Sequence, residues 1–198
     1  MSGARESSGP RRPQWVEDVE RLDLAVYAAV ARTPTPALDA AMSRLSHAAD
    51  YSKLSLSAAG LLALVGGRSG RSAAASGLTA IAVTATIVNV AVKPLGRRRR
   101  PDRLAGDVPL ARHVRMPTSR SFPSGHTAAA SAFATGVGHV LPVAGIPLHA
   151  LAALVGYSRV HTGVHYPGDV VAGAMIGIAL AQVTTHVRDR VISSRRQS

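Results

Sequence analysis

The sequence predicts an all-α fold: an integral membrane helical bundle of about five transmembrane helices, preceded by N-terminal amphipathic helices. Of the 198 residues, 46% are hydrophobic and 17% are charged, but only 4% are aromatic. A soluble core would therefore have to be built almost wholly from Ala, Val, Leu and Ile. The apolar residues are also gathered in uncharged runs, and a helix of about 20 such residues crosses the roughly 30 Å hydrocarbon layer.

The N-terminal region is polar or amphipathic and precedes the apolar runs. Residues 1–13 are rich in Pro, Ser, Gly and Arg and lack the apolar stretch of a signal peptide. Apolar residues recur at helical spacing from Trp15 to Arg32, and again from Ala37 to Ala49. We expect both helices at the membrane interface or on the bundle, with a small separate soluble domain as the alternative. The chain thus divides into a disordered tail at 1–13, amphipathic or interfacial helices at 14–50, a membrane-embedded domain at 51–190 and a basic tail at 191–198.

Five runs of low charge are the candidate spans. Ala73 to Val92 contains 20 residues without a formal charge. Thr127 to Pro147 and Val170 to Val187 also lack Lys, Arg, Asp and Glu, and each is long enough to cross the bilayer. Two weaker candidates are Ala48 to Gly66, which is charged only near its start, and Ile146 to Tyr157, which is short. Buried helices of a soluble protein are the alternative, but five such segments leave too little polar chain to cover them.

Charge and cysteine content narrow the possible functions. The chain has 23 Lys and Arg against 11 Asp and Glu, a net charge of +12, and no cysteine. Thiol nucleophiles, disulfides, cysteine-ligated zinc sites and Fe–S clusters are therefore excluded. Nine of the basic residues lie between Lys93 and His126, which indicates a polyanionic ligand, attraction to anionic lipid or a positive-inside topology signal. We expect no nucleic acid partner, because no base-stacking aromatic residue lies among the arginines.

Two polar segments are expected to meet on one side of the membrane. The long basic loop ends in P-S-G-H at 123–126, immediately before a candidate span. A serine N-cap, a glycine N–H and the positive end of a helix suit a bound anion. The second segment, Ser158 to Asp169, lies between two later spans. Because consecutive spans alternate in direction, both segments emerge on the same face.

The polar side chains of the two segments are those that phosphoryl transfer requires. Lys93, Arg100 and Arg159 can neutralise phosphate oxygens, and the Ser124 hydroxyl and Gly125 N–H can add hydrogen bonds. This set provides a cationic, hydrogen-bonding site for a phosphate ester.

Histidines and an aspartate are left for the chemistry. A neutral imidazole can attack phosphorus when a carboxylate holds its other nitrogen, and a second, protonated imidazole can donate to the departing oxygen. His165 with Asp169, and His126, can fill these roles. The spacing by four of His161, His165 and Asp169 also fits metal ligands on one helix face, but glycines and a proline interrupt that helix and nearby cations oppose a metal. We therefore expect no metal and no other cofactor.

Three ordered motifs resemble the signature of the type 2 phosphatidate phosphatase superfamily, which includes the vanadium haloperoxidases. They are K-x6-R-P at 93–101, P-S-G-H at 123–126 and S-R-x5-H-x3-D at 158–169. The resemblance implies that residues 51–190 form a phosphatase domain that needs no metal. It also implies a phosphohistidine on His165, oriented by Asp169, with His126 as the acid for the leaving group. The phosphate-binding residues that it implies are Lys93, Arg100, Ser124, Gly125 and Arg159.

The resemblance further implies a multi-pass hydrolase of the plasma membrane that acts on a lipid phosphate, since the haloperoxidases are larger and soluble. The chain is similar to short actinobacterial members, some of which dephosphorylate decaprenylphosphoryl-5-phosphoribose during synthesis of the cell-wall arabinan precursor. That activity is the expected one. The alternatives are a polyprenyl diphosphate phosphatase that recycles the undecaprenyl or decaprenyl carrier, a phosphatidate or phosphatidylglycerophosphate phosphatase, and a non-catalytic anionic-lipid scaffold or carrier.

The distribution of basic residues bears on the side of the membrane that carries the site. The predicted site side holds 17 basic residues and the opposite side holds 6. The positive-inside rule then favours a cytoplasmic site. The sequence leaves the oligomeric state open.

Overall fold

The computed structural model describes residues 13–197 and consists of helices and connecting loops, without a strand among those residues. This confirms the predicted all-α class. The helices are α1 (Gln14–Arg32), α2 (Pro36–Ala48), α3 (Lys53–Val65), α4 (Gly67–Ile87), α5 (Gly125–Val140), α6 (Pro142–His161) and α7 (Pro167–Gln197).

Shorter helical turns complete the chain. A π turn (Val88–Val92) and a last turn (Lys93–Leu95) continue α4, and 3-10 turns lie at Asp50–Ser52 and Leu110–Arg112. The tail predicted at 1–13 falls outside the described residues except for Pro13. The segment predicted as a basic tail is helical as far as Gln197, where α7 ends.

Helix α5 lies at the centre of the bundle and packs against α4, α6 and α7. Two glycines of α7, spaced by four, allow the closest approach. A Cβ at Gly173 would lie 2.5 Å from the carbonyl oxygen of Ser124, and one at Gly177 would lie 2.2 Å from that of Ala128. A side chain at either position would collide with these carbonyl oxygens. The two glycines therefore allow α7 to pack directly against the start of α5.

Within residues 13–197, three helices are long and apolar enough to cross a membrane: Gly67–Leu95, Pro142–His161 and Pro167–Arg195. The other two predicted spans correspond to α3, with 13 residues, and α5, with 16 residues. Both are apolar but shorter than a full crossing of the hydrocarbon layer. The structure therefore supports three full spans by length and composition, and the count of five is not reproduced.

The predicted span from Thr127 to Pro147 is wrong at its end. Helix α5 stops at Val140, and Leu141 has φ −135° and ψ 78°, outside the helical region. Pro142 then occupies the first turn of α6, where its missing N–H costs nothing, while the residue before a proline is disfavoured in a helix. The short span predicted at 146–157 is accordingly part of α6, which contains Pro147 in its interior.

Helix α1 packs on α6 and α7 through a narrow face. That face consists of Asp23, Tyr27 and Ala31, which follow one another at successive turns and are buried. The apolar residues Trp15 and Leu22 are 67% and 65% exposed. The apolar stripe of α1 therefore faces outward, as in a helix that lies in a membrane interface.

Candidate active site

The long loop after α4 and the loop between α6 and α7 meet. Nη1 of Arg100 donates to the carbonyl oxygen of Val164 at 3.0 Å and lies 3.1 Å from Nε2 of His165. Nε of Arg100 donates to the carbonyl oxygen of Ser119 at 2.9 Å. These contacts hold the guanidinium directly against the ring of His165.

The contact with Arg100 decides the tautomer of His165. A guanidinium only donates hydrogen bonds, so Nε2 is the unprotonated nitrogen and Nδ1 carries the proton. Nδ1 lies 3.5 Å from Oδ2 of Asp169. Burial lowers the pKa of His165 to about 4, outweighing the opposing effect of Asp169. At neutral pH, His165 therefore presents a lone pair on Nε2, the form that a nucleophile needs.

Asp169 is fully buried and receives hydrogen bonds from three groups. Ser121 Oγ and the backbone N–H of Tyr166 donate to Oδ2 at 2.5 Å and 3.1 Å, and Nη1 of Arg98 reaches Oδ1 at 3.2 Å. Such charge-assisted contacts compensate for burial of a carboxylate. The sequence did not indicate Ser121 and gave no role to Arg98, because neither residue is a specified position of the three motifs.

Lys93, Ser124 and Gly125 lie together at the start of α5. Ser124 is at the N-cap position, but its hydroxyl pairs with Oγ1 of Thr127 at 3.0 Å and caps no backbone N–H. Nζ of Lys93 reaches Oγ of Ser119 at 3.4 Å, and a Cβ at Gly125 would lie 3.3 Å from that Nζ. The ammonium group thus lies beside the positive end of α5, where one anion can contact both.

The N-terminal region contacts the two other predicted site residues. Arg159 is 1% exposed, and its Nη1 donates to Oγ of Ser46 at 2.6 Å. Its Nε has no hydrogen-bond partner within the part of the chain that the structure describes. Nε2 of His126 lies 2.9 Å from Oδ1 of Asp50, which is 3.9 Å from Arg159. Sequence reasoning missed Ser46 and Asp50, since no motif indicates that α2 and its following turn cover the site.

The basic loop is less available to an external polyanion than its composition indicated. Arg112 is fully buried, and Arg103 donates to the carbonyl oxygen of Val114 at 2.8 Å. Arg98 forms a salt bridge with Asp23 and stacks on Tyr166, with its guanidinium carbon 4.0 Å from the ring centre. Several of the nine basic residues therefore stabilise the loop itself.

The metal alternative does not match the observed positions. Nε2 of His161 contacts Oδ1 of Asp39 at 3.0 Å, whereas His165 contacts Asp169. Their spacing by four therefore does not place the three side chains around one point. Residues 13–197 contain no group of three or more His, Cys, Asp or Glu arranged to hold a metal ion.

An apolar groove of about 590 Å³ opens between α1, α5, α6 and α7. It starts at Thr127, whose hydroxyl contacts Ser124, and at Val170, next to Asp169. It extends along α7 to Met175 and Ile178. The groove therefore ends beside the start of α5, although none of the proposed phosphate-binding or catalytic side chains lines it.

Comparison with known proteins places the chain among membrane phosphatases. The profile of the PAP2 superfamily matches residues 73–193. Decaprenylphosphoryl-5-phosphoribose phosphatase of Mycobacterium tuberculosis is 38% identical over 110 residues, which cover 54% of this chain and 56% of that protein. The match thus spans about half the length of that relative. The protein of the same name from Mycolicibacterium smegmatis is 36% identical over 156 residues, 76% of this chain and 78% of that one.

The fold is also that of a solved relative. The crystal structure of Aquifex aeolicus LpxE superposes with a TM-score of 0.67 at 28% identity, covering 83% of this chain and 95% of that one. All three motifs at 93–169 lie inside the matched region of 73–193. The chain belongs to the PAP2 superfamily.

Proposed function

We propose that the protein is a membrane lipid phosphatase that works without a metal and through a phosphohistidine on His165. The observation that carries the proposal is the contact of Arg100 with Nε2 of His165, whose Nδ1 faces Asp169 at 3.5 Å. In the structure, Nη1 of Arg100 donates to the lone pair of Nε2. A phosphate oxygen that takes over this donor frees the lone pair and brings phosphorus in front of it. The same guanidinium thereby binds the substrate and keeps the nucleophile in its reactive tautomer.

The phosphate is bound by the cations and dipoles around the start of α5. Lys93, Arg100 and Arg159 neutralise its oxygens, and the unpartnered Nε of Arg159 is a donor that a phosphate oxygen satisfies. The Ser124 hydroxyl and the Gly125 N–H add hydrogen bonds at the helix terminus.

The reaction takes place in two steps. Nε2 of His165 forms a bond to phosphorus while the bond to the lipid oxygen breaks, and that oxygen takes a proton from His126. In the second step, His126 removes a proton from water, which attacks phosphorus and releases inorganic phosphate from His165. Asp169 stabilises the positive charge that develops on His165 in the first step.

The substrate that we propose is decaprenylphosphoryl-5-phosphoribose, a phosphate monoester carried on a long prenyl chain. Support comes from two relatives of that name, 38% and 36% identical to this chain. The apolar groove supports the same assignment, because it offers a prenyl chain an apolar surface between the helices, next to the start of α5.

A panel of lipid phosphates assayed in EDTA tests the activity and the substrate together. We expect phosphate release from decaprenylphosphoryl-5-phosphoribose to exceed that from polyprenyl diphosphate, phosphatidate and phosphatidylglycerophosphate by about tenfold or more in kcat/KM. Preference for another member of the panel would replace the proposed substrate. No release from any of them would favour a lipid-binding scaffold or carrier.

The groove is tested by the substitution Ala174→Phe, with Ala179→Phe as the matched control. Ala174 lines the groove, whereas Ala179 is an exposed residue of α7 that does not. The added ring fills the groove, so kcat/KM for the prenyl substrate should fall about tenfold while that for a short water-soluble phosphate ester stays unchanged. Equal effects on both substrates, or equal effects of both substitutions, would contradict this path for the prenyl chain.

We propose that the chain lies in the plasma membrane with the site on the cytoplasmic face, because the site side carries the larger number of basic residues. The chain has no cysteine, so a single one can be introduced at Leu104, which is 77% exposed on the site side. A membrane-impermeant maleimide should label Leu104→Cys only after permeabilisation. Ser69→Cys, at the opposite end of α4, should react in intact cells. The reverse pattern would place the site outside.

A further inference from the structure

The contact between Asp50 and His126 has no counterpart in the three motifs. Asp50 lies on the turn between α2 and α3, outside the family region of 73–193. The two residues that follow, Tyr51 and Ser52, have φ values of 55° and 57°, which are unfavourable for residues other than glycine. Such backbone strain is found mainly where the surrounding structure holds a functional group in place.

We propose that Asp50 is the positioning residue of His126 during proton transfer to the leaving group. This inference rests on the proposed phosphatase activity. Oδ1 of Asp50 accepts a hydrogen bond from Nε2 of His126 at 2.9 Å, which leaves Nδ1 as the nitrogen that faces the departing oxygen. In His165 the two ring nitrogens have exchanged roles: Nδ1 faces Asp169, and Nε2 faces phosphorus. Each histidine thus has its own carboxylate, and opposite ring nitrogens do the chemistry.

The charges that face His126 explain why the acid needs a carboxylate. Arg159 comes from α6 and Lys93 from the end of α4, and Nδ1 of His47 on α2 lies 3.7 Å from Oδ2 of Asp50. Burial, with Arg159 and then Lys93 adding to it, lowers the pKa of His126 to about 4, although Asp50 raises it. A bound phosphate dianion neutralises the two cations. Asp50 then favours the imidazolium form, which is the form that acts as an acid.

The proton balance of the step is simple. As the bond between phosphorus and the lipid oxygen breaks, the proton on Nδ1 of His126 passes to that oxygen. His126 becomes neutral and keeps its Nε2 proton toward Asp50. Asp50 stays ionised throughout, so it acts through His126 and does not touch the substrate.

The test is Asp50→Asn, assayed with two leaving groups. A lipid alkoxide needs a proton to depart, whereas the anion of 4-nitrophenol departs without one. We expect kcat/KM to fall about 100-fold for the lipid phosphate and to stay within about threefold of wild type for 4-nitrophenyl phosphate. Retained aryl phosphatase activity also shows that the variant is folded. Asp50→Glu, which keeps the carboxylate, should recover part of the lipid phosphatase activity.

Asp107→Asn is the matched control, since it removes one negative charge from an exposed loop residue on the same face. The pH profile gives a second measurement: the decline of kcat for the lipid phosphate at high pH should move to lower pH in Asp50→Asn. Equal losses on both esters would indicate a purely structural role, and unchanged kinetics would exclude any role of Asp50. If wild type hydrolyses neither ester, the proposed function fails before this inference is tested.

Discussion

Replacing His165 with alanine should lower phosphate release by about 10⁴-fold or more, the range observed when a catalytic nucleophile is removed. The structure gives the reason. His165 is the imidazole that Arg100 contacts at 3.1 Å, and its burial keeps it neutral at pH 7 because its pKa is lowered to about 4. In the described part of the chain no other histidine contacts Arg100, so no other imidazole is placed in the same way for attack on phosphorus.

The measurement is steady-state phosphate release in EDTA, together with trapping of the intermediate from labelled lipid phosphate. Wild type should yield an acid-labile, alkali-stable phosphoprotein, and His165→Ala should yield none. His113→Ala is the control: its ring contacts the carbonyl oxygen of Val108, away from the site. Release by His165→Ala above about a tenth of the wild-type rate would exclude the phosphohistidine mechanism.

Replacing Arg112 with methionine should cause the largest loss of stability. Arg112 is fully buried, and its guanidinium donates to three carbonyl oxygens and two side chains at the junction of α1 and α2. These acceptors are Val30, Ala31, Thr33, Thr35 and Asp39. Methionine has a similar size but no donor, so it leaves the Asp39 carboxylate without its arginine partner.

Removing one partner of a buried ion pair costs about 3–5 kcal/mol, which corresponds to a fall in Tm on the order of 10 °C for a chain of this length. Thermal unfolding in detergent and limited proteolysis between α1 and α2 measure the effect. Arg115→Met, at an exposed position of the same loop, should leave Tm within about 1 °C of wild type. If the Tm of Arg112→Met equals that of wild type, the junction of α1 and α2 does not depend on this arginine.

Activity should fall with stability in Arg112→Met, because α2 holds Ser46 against Arg159 at 2.6 Å. The N-terminal helices are therefore part of the site as well as an interfacial element. From its sequence, Arg112 was one of nine similar basic residues. Its burial follows from the path of the loop, which passes beneath the end of α1.

The motifs and the apolar runs were sufficient to predict the helical membrane class and the family. They supplied the residues proposed for the site, but not Ser46, Asp50 and Ser121, which contact them. Class and family are predictable because membrane spans need long uncharged runs, and phosphoryl transfer needs a few residue types in a fixed order. The end of α5 at Val140 was less predictable. A run without charge continues across Pro142, and only the non-helical backbone at Leu141 shows where one helix stops.

The order of residues along the chain thus determined which side chains are available for chemistry, and tertiary packing decided how they are paired. Asp50 and His126 are 76 positions apart, and Ser46 and Arg159 are 113 apart. Such contacts have no local signature, because they depend on how α2 and the turn after it pack against α6 and α5, and not on any spacing in the sequence. Close packing of α7 on α5 through Gly173 and Gly177 likewise arises only when the helices meet, since the cost of a Cβ there depends on the neighbouring backbone.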